Sequence, residues 1–343
     1  MRTTRRFRWM TVLLLTLAGG CAAMAERGVE PTEGKPVPLD RERPTVERVG
    51  GLLFRGALDI TGLNGVGGLS GLWVSADGAR FSAIGDTGLV ASGRLTHSAD
   101  GRLTGVQDVQ ARPLPVEEGV ASSKRRVDAE ELLRLTKADG TEGDWIVAFE
   151  RDHRLLRYPQ DRRGPAGVPT PVPTPTGVTD GSPENGGLES LAQLPDGRLL
   201  AIEEGEEDTL RDPTRPRRAW VTASPGVPRQ EADWLPFHYR SAPRFRPTGA
   251  APLPDGGALV LERRVSLIGG WSTRIVRLPP TALRAGADAT GQEVARLEHP
   301  LLNDNFEGIA TRPAPGGGTL VYIVSDDNFS PFQRTYLALF LLP

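Results

Sequence analysis

Short apolar runs alternate with Gly- and Pro-bearing turns along most of the chain, and one such unit recurs. Its clearest copy is residues 187–204, GLESLAQLPDGRLLAIEE. An apolar run follows Glu189 and stops at Pro195-Asp196-Gly197. Pro fixes φ at the first central turn position, and Gly takes the positive φ that follows. A second apolar run returns and ends in Glu203-Glu204. The pattern predicts a β-hairpin with carboxylates at its open end. Glu189 and Glu203 are equidistant from Asp196, and in an antiparallel register equidistant residues lie side by side.

The unit returns at residues 70–86 (SGLWVSADGARFSAIGD), 128–150, 248–262 (TGAAPLPDGGALVLE) and 307–326 (EGIATRPAPGGGTLVYIVSD). In the 128–150 unit the turn is longer. Glu131 opens it, Glu130 is the alternative opener, and Glu150 closes it. Ser70 and Thr248 hold the opening place without an acid. Short strand-like runs lie between the units, at residues 90–95, 154–158 and 274–278. Two hairpin strands plus one or two followers give four-stranded repeats, the anatomy of a propeller blade. The expected fold is therefore an all-β β-propeller. Residues 46–60 and the tail TYLALFLL (residues 335–342) fit no repeat. Sharing one blade, these N- and C-terminal strands would close the ring and bring the count to six, with five and seven as alternatives. Residues 159–186, centred on VPTPVPTP, read as an extended loop of polyproline character.

In a propeller the first strand of each blade lines the central channel, and the second returns to the same rim. The opening and closing acids then converge. The candidate ring is Asp86, Glu131, Glu150, Glu189, Glu203, Glu204, Glu262, Glu307, Asp326 and Asp327. One acid at a strand end commonly caps a turn; it is the recurrence that suggests a site. Crowded carboxylates repel unless a cation offsets them. Hard oxygen donors without Cys or His spacing favour a divalent cation of the Ca²⁺ or Mg²⁺ kind, and Ca²⁺ is the cofactor expected. Arg151, Arg263 and Arg264 follow closing acids. They would offset part of that charge or bind a phosphate or carboxylate.

Composition narrows the classes. With 41 basic and 43 acidic residues the chain has no electrostatic footprint for nucleic acid. Residues 1–25 read as an export signal: Arg2, Arg5, Arg6 and Arg8 precede a short apolar run. Ala23-Met24-Ala25 suits ordinary cleavage, whereas residues 17–21 resemble a lipobox that would lipidate Cys21, the only cysteine. The expected location is thus the periplasm or the outer membrane as a lipoprotein, with secretion as a third outcome. Any membrane contact would come only through that lipid anchor. Residues 26–46 are polar and Pro-bearing and read as a flexible linker, which leaves residues 47–343 for the folded domain.

Four segments carry a family resemblance. They are Gly68-Leu69-Ser70-Gly71-Leu72 with Asp86, Gly187-Leu188-Glu189-Ser190-Leu191 with its Pro-Asp-Gly turn, Leu259-Val260-Leu261-Glu262-Arg263-Arg264, and Asn305-Phe306-Glu307-Gly308 with Ser325-Asp326-Asp327-Asn328. Together they resemble the esterase-like-activity-of-phytase family, the phytase-like propeller proteins of bacteria, over about residues 47–343. The resemblance implies an exported propeller and hydrolysis of a phosphate or carboxylic ester. On the phosphoesterase reading, Glu189, Glu203, Asp86, Glu131, Glu150 and Asp327 hold the cation. Glu307, Asp326 and Arg263 act on the ester, and Arg151, Arg264 and Asn328 bind a small phosphorylated substrate. A serine esterase is less favoured: no Gly-x-Ser-x-Gly elbow occurs, and His153 is the best base among four histidines. The alternative outside catalysis is an envelope propeller that binds a ligand, sugar or protein.

Overall fold

The computed structural model describes residues 33–117, 123–205, 215–266 and 269–343. The export segment and Cys21 lie outside the described residues. The described chain forms five sheets, the blades of a β-propeller. The first blade runs through Leu69–Val74, Arg80–Gly85, Leu89–His97 and Leu103–Pro113. The second uses Ala129–Thr136, Glu142–Phe149, Arg154–Tyr158 and Thr170–Val172. The third uses Leu188–Gln193, Leu199–Glu203, Arg217–Thr222 and Trp234–Arg240, with Asp288–Thr290 added in parallel at its edge. The fourth uses Arg246–Pro252, Ala258–Ser266, Gly270–Leu278 and Gln292–Glu298.

The fifth blade explains why there are five and not six. Its hairpin, Asn305–Pro313 with Thr319–Asp326, has no following strands of its own before the tail. The tail strand Tyr336–Leu342 pairs with that hairpin, and Leu52–Asp59 from the other end of the chain pairs with the tail. The two terminal segments therefore complete the fifth repeat and do not form a sixth. Five apolar clusters fill the gaps between neighbouring blades. One joins Leu69 and Leu72 of the first blade to Tyr322 and Val324 of the fifth. Another sets Trp145 of the second blade against Ile84 of the first. Alternate side chains of each strand serve the two faces, so second strands such as Leu199–Glu203 and Thr319–Asp326 are buried on both sides, whereas outer strands such as Trp234–Arg240 and Gln292–Glu298 expose part of theirs.

Two segments differ from the expectation. Residues 33–46, read as a linker, pack on the propeller from Glu33 onward. Lys35 pairs with Asp59, Glu33 exchanges backbone bonds with Val106 at 2.8 and 3.0 Å, and Leu39 is buried. The Pro-rich insert contributes Thr170–Val172 as the outer strand of the second blade, the edge position where Pro is tolerated.

Every inner strand carries a β-bulge at the same place. The register skips one residue between Leu69 and Gly71, Ala129 and Glu131, Leu188 and Ser190, Pro247 and Gly249, and Phe306 and Gly308. The skipped residues are Ser70, Glu130, Glu189, Thr248 and Glu307. A bulge leaves its extra residue unpaired and re-aims the side chain. The residue after it is small in four blades because the inner strands converge there. A Cβ on Gly249 would lie 2.6 Å from the Glu307 carbonyl oxygen, and one on Gly71 would lie 2.7 Å from Leu132 N.

Candidate active site

Two five-membered sets of side chains meet at one mouth of the channel. The first set is the bulge residues. The second is the residue that follows the partner of each pre-bulge residue: Asp86, Glu150, Glu204, Arg263 and Asp326. All of the second set, and all of the first except Thr248, line a basin of about 220 Å³. Thr248 instead donates to the Phe306 carbonyl at 3.3 Å. The fourth blade thus supplies a guanidinium where the other four supply a carboxylate.

The basin is unevenly neutralised. Arg263 lies between Glu204 and Glu307, with Nη2 3.2 Å from Glu204 Oε1 and Nε 3.3 Å from Glu307 Oε1. Those carboxylates, with Glu189 and Asp326, hold its pKa up against the effect of burial. Arg246 also pairs with Glu204. Lys124 Nζ donates to Asp86 Oδ2 at 2.8 Å and to Asp128 Oδ1 at 2.6 Å, and Arg151 pairs with Asp128. Asn305 Nδ2 donates to Glu307 Oε1 at 2.8 Å and to Asp326 Oδ2 at 3.3 Å, tying those two acids together.

Glu189 is different. Its side chain has no hydrogen-bond or ion-pair partner among the described residues, yet the residue is only 6% exposed. Ser70 Oγ, on a residue 2% exposed, also lines the basin without a partner. Buried polar groups are almost always satisfied, so the Ser70 hydroxyl faces a place for something else, and the Glu189 carboxylate, whose nearest positive charge is Arg263, opens into the same basin. Burial, then Glu204 and Glu130, pushes the Glu189 carboxyl well above the usual range. Burial, then Glu150 and Glu307, does the same to Glu130. Glu150 is pushed up to about 8 by burial and then by Glu204 and Asp128. Asp326 is pushed up to about 8 by burial and then by Glu307. Burial raises Glu307 as well, but Arg263 pulls it back.

Two acid triads converge closely enough to hold a cation: Asp128, Glu130 and Glu150, and Glu150, Glu189 and Glu204. In each, one oxygen per residue falls within 4.8 Å of the others. All the donors are hard oxygens, the set that suits Ca²⁺ or Mg²⁺.

The sequence-predicted residues divide accordingly. Asp86, Glu150, Glu189, Glu307, Asp326, Arg151, Arg263 and Asn328 come together in the basin. Glu203 does not. The bulge at Glu189 shifts the register, Leu188 pairs with Glu203, and Glu203 turns to a bidentate pair with Arg218 at 2.5 and 2.6 Å. Glu204 takes the basin position. Glu131 leaves the basin for the same reason: Glu130 is the bulge residue, and the Glu131 carboxylate reaches in among the inner strands, beside Gly71 and Gly249. There Glu131 Oε1 accepts from Leu132 N at 2.8 Å, with the Ala250 and Leu191 amides beside it. Glu262 is buried against the Tyr239 hydroxyl and Arg274. Asp327 anchors a turn, accepting from Gly68 N at 3.0 Å and Phe329 N at 3.1 Å. Arg264 lies outside the basin lining, over the Phe245 ring at 4.8 Å. His153 is buried outside the basin, its Nε2 2.9 Å from the Pro183 carbonyl. Lys124, Asp128 and Arg246 carry no repeat signal; only their place in the fold brings them in.

Fold and site together define a five-bladed propeller with a carboxylate-lined basin at one mouth. The sequence profile of the phytase-like family, described as esterase-like activity of phytase, matches residues 64–329, and the chain belongs to that family. No curated protein sequence matches. Among solved structures, the chain is similar to the PQQ-bound aldose sugar dehydrogenase of Streptomyces coelicolor, at 15% identity and a TM-score of 0.41, covering 91% of this chain and 100% of that one. It is also similar to an endo-1,4-beta-xylanase of Bacteroides thetaiotaomicron, at 8% identity and a TM-score of 0.44, covering 79% and 89%. Likenesses at this level carry no argument about chemistry.

Proposed function

We propose that this phytase-like propeller is an exported, cation-dependent phosphoester hydrolase working in the basin, and that the blade shared by the chain's two ends closes its ring. The observation that supports the reading most is Glu189, a carboxylate with no hydrogen bond or salt bridge of its own among the described residues, inside a triad with Glu150 and Glu204. A divalent cation held there or by Asp128, Glu130 and Glu150, Ca²⁺ being the best fit, would polarise a phosphoryl oxygen and acidify bound water. Arg263, fixed between Glu204 and Glu307, contributes positive charge beside the developing negative charge of the phosphoryl group. Asp326 and Glu307 form an acid–base pair whose environments differ. Asp326, raised to about 8 with no cation beside it, keeps its proton at neutral pH and donates it to the leaving oxygen. Glu307, next to Arg263, is the member that accepts a proton from the attacking water. Arg151 and Asn328 at the rim orient the substrate, and the protein acts in the periplasm or at the outer membrane.

The test is hydrolysis of p-nitrophenyl phosphate, a phosphodiester analogue and an acetyl ester, with and without EDTA. The expected result is EDTA-sensitive phosphoester turnover that falls at least ~100-fold in Glu307→Gln and Asp326→Asn. No turnover of any ester, or full activity in both variants, would overturn the reading. Calcium-dependent stabilisation without turnover would instead favour the ligand-binding propeller.

A further inference from the structure

The basin has an apolar edge that the chemistry above does not use. Among the described residues four large apolar side chains are exposed: Val168, Val265, Phe329 and Phe332. Phe329 is 59% and Phe332 94% exposed. Both stand on the connection that follows Asp326, whose residue Asn328 lines the basin. Val265 lies near the end of the strand Ala258–Ser266 of the neighbouring fourth blade, two residues past Arg263 and paired with Trp271. Scattered exposed apolar side chains need no explanation, but two phenylalanines on one short connection beside a charged site do.

The connection is anchored. Asp327 Oδ1 accepts from Gly68 N and Phe329 N, the Asp327 carbonyl accepts from Ser330 N at 2.7 Å, and Gln333 donates to Asp304 Oδ1 at 3.3 Å. Asn328 and Phe329 are held at φ 47° and 50°. The left-handed region is uncommon for a bulky aromatic and persists only where surrounding contacts enforce it. The Phe329 ring lies over Gly67 and Gly68. A Cβ on Gly68 would meet that ring at 2.6 Å and Asp86 Oδ1 at 2.7 Å, which puts an aromatic edge directly beside a basin acid. From residue 328 to residue 332 the lip has no charged side chain.

We propose that Phe329 and Phe332 form a specificity lip, and that the substrate is an amphiphilic phosphomonoester whose apolar alkyl or aryl group lies on it while the phosphate enters the basin. This rests on the phosphoester reading of the basin. A sugar or inositol phosphate, polar throughout, would leave both rings in water; an apolar ester covers them.

The experiment compares hexyl phosphate with glycerol 3-phosphate, both esters of primary alcohols, using the full chain with calcium. The variant is Phe332→Ser, at a side chain too exposed to matter for folding. Wild-type kcat/KM for hexyl phosphate is expected to exceed that for glycerol 3-phosphate by at least ~10-fold. Phe332→Ser is expected to remove that preference through KM and leave glycerol 3-phosphate within about 2-fold of wild type. Equal use of the two esters by wild type, or an equal fall for both in the variant, overturns the lip and leaves the phosphoesterase reading standing. If neither ester is hydrolysed, that reading falls, and calorimetric binding decides the lip separately. Tighter binding of hexyl phosphate than of inorganic phosphate, lost in Phe332→Ser, supports it; equal binding of the two overturns it.

Discussion

Arg263 is the residue on which the basin's charge turns. It occupies the place that carries Asp86, Glu150, Glu204 and Asp326 in the other blades, and it holds Glu204 and Glu307 at salt-bridge distance. Removing one partner of a buried ion pair costs far more than the pair contributes, because the remaining charge stays buried. Arg263→Gln is therefore expected to destabilise the cation-free protein by about 3 kcal/mol or more near pH 8. The loss should be smaller near pH 5, where Glu307, already raised by burial, takes up a proton instead. Urea unfolding at the two pH values measures the difference, and an equal loss at both contradicts this account of the guanidinium. At the same scale, the Glu203–Arg218 pair is separate from the basin. Glu203→Gln should leave cation affinity within about 2-fold of wild type, whereas Glu204→Gln should weaken it by at least ~10-fold. Calcium titration of the two variants distinguishes them.

At the scale of the element, the bulge sets the site. The hairpins were legible from turn chemistry: Asp77-Gly78, Asp139-Gly140, Asp196-Gly197 and Asp255-Gly256 all sit between paired strands, with their glycines at φ between 74° and 89°. The register at the open end was not legible. Counting outward from Asp196 makes Glu189 and Glu203 neighbours, but the bulge inserts one unpaired residue and turns Glu203 away in favour of Glu204. The same single step separates Glu130 from Glu131. No local sequence rule places the bulge, because its cause is the crowding of inner strands from different blades around one axis. The glycines after the bulge are the trace of that crowding. Gly249→Val would drive a side chain into the Glu307 carbonyl, and we expect it to cost about 2–4 kcal/mol in unfolding experiments. A loss under about 0.5 kcal/mol, the range of an ordinary surface change, would mean that the inner strands are not packed as described. The composition of the basin was legible only in part. Repeating acids pointed to it, but Lys124 and Asp128 reach it from a connection that does not repeat, and Arg246 from the start of the fourth blade's first strand, where the other blades carry no arginine.

At the scale of the whole molecule, chain ends and pH are the levers. Leu52–Asp59 pairs with Tyr336–Leu342, so a chain lacking residues 33–60 would leave the tail strand with an open edge and the apolar clusters on both sides of the fifth blade incomplete. Such a truncation should lose cooperative unfolding, and a sharp thermal transition near that of the intact chain would contradict the shared blade. The pH dependence follows from the raised carboxyls. Glu150 and Asp326 keep their protons to about pH 8 in the folded protein but release them from about 4.5 and 3.8 upward when unfolded. Between those limits the folded state binds more protons, so stability is fully present at low pH and falls as pH rises, by up to about 1.4 kcal/mol per pH unit for each group. A cation that binds the deprotonated acids reverses this trend. Melting temperature without cation should therefore fall from pH 5 to pH 8, and calcium should raise it more at pH 8 than at pH 5.

Calcium titration of the wild-type chain by calorimetry near pH 8, repeated with Glu189→Gln, tests the central claim most directly. The account predicts saturable binding by the wild type, weakened at least ~10-fold when the unpartnered carboxylate becomes an amide. No binding by the wild type, or equal binding by the two proteins, would contradict it.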